Sequence, residues 1–426
     1  MTKKKFQIDF SWNFLSLGIL AISGILINFV ILSFYSVDAL GIFNQTYAIF
    51  VIASQFSVLG IHFSVLKRAS KKHKDIARHS KILISGIMSV LIIAVPVSFL
   101  MHLAAPNISN FFDSSLMTKT VRIIAPSLIL FSLNKVFLSY LNGLEKMKMF
   151  AMGNIIRYLT IIFSITFFSI FNYPIQDLLF SFLIAESLLT IFCIFCLRNY
   201  LLSISFKNIV ENCKSHILFG FKAIFSGFFV ELNYRIDVIV LGFFASDSVV
   251  GIYSLFSLAA EGTYNIFVLI KNLINPKISR LLSSGSFVEF QNLFYKFARY
   301  TYLFAILVVP FIGLIFYGLI SFLPDAAQLN ENFGIAIILL SFILLISGFI
   351  PFEMSLTLSG KPGSQSFQAF LVALINLILN LILVPIYGAI GAAISTGMAL
   401  AFGIIYIYYV LLFKLGIRFS FIFYRS

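Results

Sequence analysis

The chain has 426 residues, of which 60% are hydrophobic and 11% charged, with a formal net charge of +14. An average soluble domain carries about 25% charged residues, so a water-exposed globular surface is excluded. Apolar runs long enough to cross a bilayer core of about 30 Å follow one another, separated by short polar breaks. The runs lack strand-like alternation, and only a helix satisfies its own backbone amides in hydrocarbon, which argues against an outer-membrane barrel.

These runs predict an all-α integral membrane protein of about twelve transmembrane helices. In the first half they fall at 12–34, 40–64, 81–103, 118–141, 149–171 and 177–197. The first follows MTKKKFQIDF, with Trp12 as an interfacial anchor. It begins like a signal peptide, but its apolar stretch is too long and has no A-x-A site, so it reads as a retained span. The sixth holds Cys193 and Cys196 as C-x-x-C inside LLTIFCIFCL. With no second pair and only Cys213 besides, neither a disulfide framework nor a metal site is expected. In the second half the runs fall at 216–244, 249–271, 298–322, 333–358, 365–385 and 388–413, and the seventh carries several charges.

Lys and Arg set the orientation. With the N-terminus in the cytoplasm, 24 of the 30 lie in inside segments, the densest being LKRASKKHKDIARHSK. Asp38, Asp113, Asp177, Asp247, Asp325 and Glu331 face outward. That distribution obeys the positive-inside rule, fails if one span is added or dropped, and puts both termini inside. The basic charge is therefore topology. It implies contact with the lipid bilayer, including anionic headgroups, and no nucleic-acid partner.

The two halves resemble each other. SFYSVDALGIFNQTYAIF and GFFASDSVVGIYSLFSLAA each place an acid in a short outside turn before Gly-Ile-aromatic, Gly41 to Phe43 and Gly251 to Tyr253. Six spans per half is even, so the repeat is parallel, and two six-helix lobes, 1–205 and 206–426, around a central cavity are expected.

Ionisable groups at membrane depth are costly and mark pathways. They are Lys135, Arg157, Glu186, Glu231, Arg235, Asp237 and Glu261, with Lys222 and Glu353 nearer the cytoplasmic ends. Glu231 and Arg235 are one turn apart and can pair, whereas Asp237 points about 200° from Arg235. Ser254, Glu261, Asn265 and Asn272 form a polar stripe, and Asn154 with Arg157 and Asn376 with Asn380 form shorter ones. Interhelical hydrogen bonds and ion pairs would explain such residues equally well for the Asn pair and for Glu231. No acid at local spacing neutralises Lys135, Arg157 and Arg235 together, and a cation-lined cavity suits an anionic substrate such as a phosphate group. The five histidines form no H-E-x-x-H, there is no G-x-x-x-x-G-K-[ST], and no cofactor or metal is expected.

Segments seven and eight resemble the polysaccharide transporter family, the Wzx-type O-antigen flippases of the multidrug/oligosaccharidyl-lipid/polysaccharide exporter superfamily. The resemblance rests on Arg235, Asp237, Leu241, Gly242, Gly251 and Tyr253, and on Pro385, Gly388, Gly391 and Ala392 near the end of segment eleven. It implies a flippase, not an enzyme, working in lipopolysaccharide and polysaccharide assembly in the bacterial inner membrane. The implied substrate is an undecaprenyl-diphosphate-linked oligosaccharide, moved from the cytoplasmic to the periplasmic leaflet by alternating access. Other polysaccharide-assembly membrane proteins would be its partners. Lys135, Arg157, Arg235, Asn154 and Asn265 are then substrate-binding candidates, and Glu231, Asp237 and Glu261 ion-coupling candidates.

Three alternatives compete. A drug or organic-cation antiporter of the same superfamily would want an acid-dominated cavity, whereas bases nearly match acids at mid-depth here. A lipid II flippase resembles fourteen spans rather than twelve. A membrane-embedded polymerase or ligase would carry a large periplasmic loop, and the longest outside loop here is about 15 residues.

Overall fold

The computed structural model describes residues 3–71, 75–201 and 209–415. The expected lobe boundary at 205/206 and the basic residues Lys72, Lys74, Lys207, Arg418 and Arg425 lie outside the described residues. Every regular element among those described is helical, and the chain divides into two compact units, Met1–Phe228 and Phe229–Ser426.

The first unit contains α1 (Lys3–Phe34), α2 (Val37–Val58), α3 (Ile61–Ala69), α4 (Ile76–Phe111), α5 (Met117–Ile124), α6 (Ser127–Gly143), α7 (Met147–Ile170) and α8 (Phe180–Leu201). It also takes in the first part of α9 (Ile209–Phe244). Ser36 caps α2 by accepting the Ala39 N–H, and Asp38 in the first turn complements the helix dipole. A left-handed pair, Leu59 at φ 45° and Gly60 at φ 67°, separates α2 from α3. Gly60 is needed there twice over. Its conformation favours glycine, and a Cβ would lie 2.7 Å from the Gly220 carbonyl oxygen. A Cβ on Gly220 would run into the Leu59 carbonyl oxygen in turn, so α9 crosses the α2–α3 break backbone against backbone. In lipid, where no hydrophobic force drives helices together, small residues of this kind allow the close approach. Gly220→Val is expected to lower stability by about 1–3 kcal/mol through overpacking. Gly318→Ala, whose Cβ meets nothing within 4 Å, should melt with the parent chain when thermal unfolding is followed in detergent.

The second unit contains the rest of α9, then α10 (Asp247–Ser283), α11 (Phe287–Ile320), α12 (Ala326–Glu331), α13 (Gly334–Ile346), α14 (Ser355–Leu358) and α15 (Pro362–Leu415). At 54 residues α15 is about 80 Å long, far more than one crossing needs. It breaks at Gly388 (φ 56°, ψ −133°), three residues after Pro385, into two arms. Gly334–Ile346 and Ile350–Leu358 form one span bent by 58°.

Seven described helices or collinear pairs are long and apolar enough to cross a bilayer, and the bent span makes eight. Counting the arms of α15 separately, and adding α1, α9 and α10, which fall outside that measure, gives twelve helical stretches, the number of runs read from hydropathy. The departures are local. Segment two breaks at Leu59–Gly60, and segment four is α5 and α6 joined across Pro126. The charged stretch after segment eight, expected as a loop, is helical down to the three-residue link 284–286. Lys, Arg and Glu are good helix formers, so charge ended the membrane passage there without ending the helix.

Buried packing in the first unit centres on Val65, Leu83, Val136, Tyr140 and Leu189. In the second, Ile278, Phe290, Phe294, Phe352 and Ile407 serve the same purpose. Outward faces stay apolar as lipid requires: α11 exposes Leu303, Leu307, Phe311 and Leu314, one continuous helical stripe.

Candidate functional site

Each unit holds its own buried polar cluster. In the first, α6, α7 and α8 bring Asn134, Arg157 and Glu186 together. Arg157 Nε lies 2.7 Å from Glu186 Oε1, and its terminal nitrogen donates to Oε2 at 3.0 Å. Asn134 Nδ2 donates to Glu186 Oε2 and to the Glu186 backbone carbonyl, both at 2.8 Å, while Thr190 donates to Asn134 Oδ1 at 3.0 Å. Two cations approach the Phe131 ring, with Arg157 Cζ 5.1 Å and Lys135 Nζ 5.3 Å from its centroid. Both distances are within cation–π range.

This arrangement corrects one premise of the sequence reading. Arg157 is not an uncompensated cation. It is 7% exposed and held by Glu186, 29 positions away on the next helix, a partner invisible to i, i+4 reasoning. Lys135 and Asn154 are half-buried on α6 and α7.

In the second unit the centre is Asp237, 5% exposed on α9. Its Oδ2 accepts from Thr396 Oγ1 at 2.6 Å and from the Tyr253 hydroxyl at 2.8 Å, and its Oδ1 accepts from Asn380 Nδ2 at 2.8 Å. Asn380 Nδ2 also donates to Asn376 Oδ1 at 2.9 Å, and Asn376 donates to Asn233 Oδ1 at 3.2 Å. Two i, i+4 pairs, Asn233 with Asp237 on α9 and Asn376 with Asn380 on α15, thus face each other as a polar zip. Asn380 Oδ1 is buried without a hydrogen-bond partner, and such a group is rare in a folded interior.

The other candidates are less enclosed. Glu231 and Arg235 are half-buried one turn apart on α9, Glu261 is half-buried on α10, and Asn265 is exposed. Asp237 and Arg235 lie at different depths of burial, as their angular separation requires. Sequence reasoning noted Asn376, Asn380 and Tyr253 but did not join them to Asp237, and it missed Asn134, Thr190, Asn233 and Thr396. The matching i, i+4 spacing of Asn233 with Asp237 and of Asn376 with Asn380 was the available signal for the zip. It also left His216 among scattered histidines, whereas His216 is fully buried between Ser64 Oγ at 2.9 Å and Ser85 Oγ at 3.1 Å. Among the described residues no three His, Cys, Asp or Glu side chains are grouped to hold a metal.

Among solved structures, the inward-facing conformation of a multidrug resistance MATE family transporter of the MOP superfamily matches with a TM-score of 0.77 at 10% identity. It covers 93% of this chain and 94% of that one. The inward closed conformation of the lipid II flippase MurJ matches at 0.73 and 20% identity, over 97% of this chain and 88% of that one. The MATE multidrug transporter DinF-BH matches at 0.61 and 17% identity, over 97% and 95%. At such identities the likeness establishes the fold alone, an all-helical one shared with these transporters. No curated protein matches the chain. The family described as polysaccharide biosynthesis protein matches residues 9–282, well over half of the sequence, and the protein belongs to that family.

Proposed function

We propose that this protein is a flippase that carries an undecaprenyl-diphosphate-linked oligosaccharide from the cytoplasmic to the periplasmic leaflet by alternating access. One observation carries the reading: a chain of the polysaccharide biosynthesis family has the fold of membrane transporters, the lipid II flippase among them. The step in glycan assembly that such a fold performs is passage of a glycan across lipid. On this reading the protein sits in the bacterial inner membrane with both termini cytoplasmic, as the Lys and Arg distribution supports.

The side chains divide accordingly. Lys135 in the first unit and Arg235 in the second are each candidates to receive a diphosphate, while Arg157, tied to Glu186, stands beside the Phe131 ring that Lys135 also approaches. Asn154 and Asn265 offer amide contacts to the glycan. Asp237, in its ring of donors, couples transport to a cation gradient, with Glu231 and Glu261 as further carboxylates along α9 and α10.

Deleting the gene tests the reading. The lipid-linked repeat unit should accumulate in the cytoplasmic leaflet; accumulation in the periplasmic leaflet would mean a polymerase or ligase. Falling tolerance to organic cations with surface glycan intact would mean a drug exporter. Lys135→Ala is expected to lower surface polysaccharide about tenfold, the equivalent of about 1.4 kcal/mol from one charge-assisted contact, with Lys135→Arg retaining most of it. Full complementation by Lys135→Ala at normal expression would remove Lys135 from the path.

A further inference from the structure

The second unit contains an open cleft between α9, α10, the bent span and both arms of α15, with about 570 Å³ of empty space counted to its open mouth. It meets the polar clusters above only at Asn233, which also belongs to the zip around Asp237. Its walls combine aromatic rings from Phe229, Tyr234 and Tyr264 with the polar ends of Asn233, Glu353 and Gln368. That mixture is amphipathic on the scale of one small ring, as ligand pockets usually are.

The hydrogen-bond accounts of two residues are incomplete. Gln368 is 8% exposed, its Oε1 accepts from Gln365 Nε2 at 3.1 Å, and its own Nε2 donates to no described residue. Glu353 Oε2 accepts from the Tyr264 hydroxyl at 3.0 Å and from Lys271 Nζ at 2.9 Å, while Oε1 accepts from no described residue. The cleft therefore presents an open donor and an open acceptor beside aromatic faces. Lys271 cancels the charge of Glu353, so the lining is close to electrically neutral.

Those features discriminate among ligands. A lipid tail would leave the amide and carboxylate desolvated without partners, which is costly. A diphosphate would meet a carboxylate, and an organic cation would find that carboxylate already paired. A hydroxylated ring satisfies everything at once: one hydroxyl donates to Glu353 Oε1, a neighbour accepts from Gln368 Nε2, and the C–H face rests on an aromatic ring. We infer that this cleft is a sugar subsite, which takes a neutral pyranose ring of the lipid-linked glycan. The inference rests on the flippase reading and adds to it a specificity element separate from the diphosphate-binding cations.

The test uses the full chain in lipid nanodiscs and two probes, undecaprenyl diphosphate and undecaprenyl-diphospho-N-acetylglucosamine. The wild type should bind the sugar-bearing lipid about tenfold more tightly. Gln368→Leu and Glu353→Gln should each erase that preference and leave affinity for the bare carrier in place, with thermal unfolding reporting that each variant is folded. Equal wild-type affinity for both lipids, or a preference that survives Gln368→Leu in folded protein, overturns the subsite and leaves the flippase reading standing. Failure of the wild type to bind either lipid overturns both.

Discussion

Glu186→Gln is expected to destabilise the protein by about 3–5 kcal/mol, the cost of leaving one partner of a buried ion pair without its counter-charge. The Arg157 guanidinium donates one hydrogen bond to this carboxylate, lies in ion-pair contact with its other oxygen, and meets nothing else of opposite charge among the described ion pairs. Asn134 loses at Oε2 the acceptor that anchors α6 to α8. A glutamine keeps the shape but offers one acceptor oxygen where two were used. The double variant Arg157→Met, Glu186→Leu separates charge from packing. Replacing a buried pair by apolar residues of similar volume is often close to neutral, so the double variant should recover most of the lost thermal stability in detergent. A Glu186→Gln protein that melts with the parent chain would show that the pair is not the brace described here. If the double variant also restores surface glycan, Arg157 acts through structure; if it folds but does not transport, Arg157 touches substrate.

Asp237→Asn is the second large effect, and it should spare the fold. The side chain is isosteric, and the Tyr253 and Thr396 hydroxyls can rotate to accept from the new amide as readily as they donate to the carboxylate. What disappears is the only charge in the cluster among the described residues. In proteoliposomes the parent chain should move fluorescently labelled lipid-linked glycan faster under an imposed proton or sodium gradient, and Asp237→Asn should lose that acceleration, at least tenfold, while keeping its unfolding temperature. Tyr253→Phe and Thr396→Val each remove one donor and should have smaller effects, on the order of 1 kcal/mol. Persistent acceleration in Asp237→Asn would move coupling to Glu231 or Glu261.

Much of this architecture was legible before any coordinates. Lipid imposes a length and an apolar composition on each passage, so the spans could be read from hydropathy, and the Lys and Arg distribution protected the charged seventh one, α9. The breaks were less legible. Leu59–Gly60 and Gly388 take left-handed conformations, and a glycine in a membrane helix signals close packing as often as a break. The candidate site was only half readable. Spacing along one helix exposed the Asn376–Asn380 pair and the divergence of Arg235 from Asp237. It could not show that Glu186 reaches Arg157, or that Thr396 and Tyr253 converge on Asp237, because those partners meet across helices 16 to 159 positions apart. Pairing in a bundle is a property of packing, which helical periodicity does not encode.

The Gly-Ile-aromatic turn repeated in the two halves ends in Phe43 in the first and Tyr253 in the second. Phe43 packs its ring against Phe182 at 6.0 Å, whereas Tyr253 extends a hydroxyl to Asp237. At this position the two turns differ by one oxygen atom, and it falls where the buried carboxylate is held. The first turn therefore closes on an aromatic contact and the second on a charge, so two stretches of like pattern do unlike work.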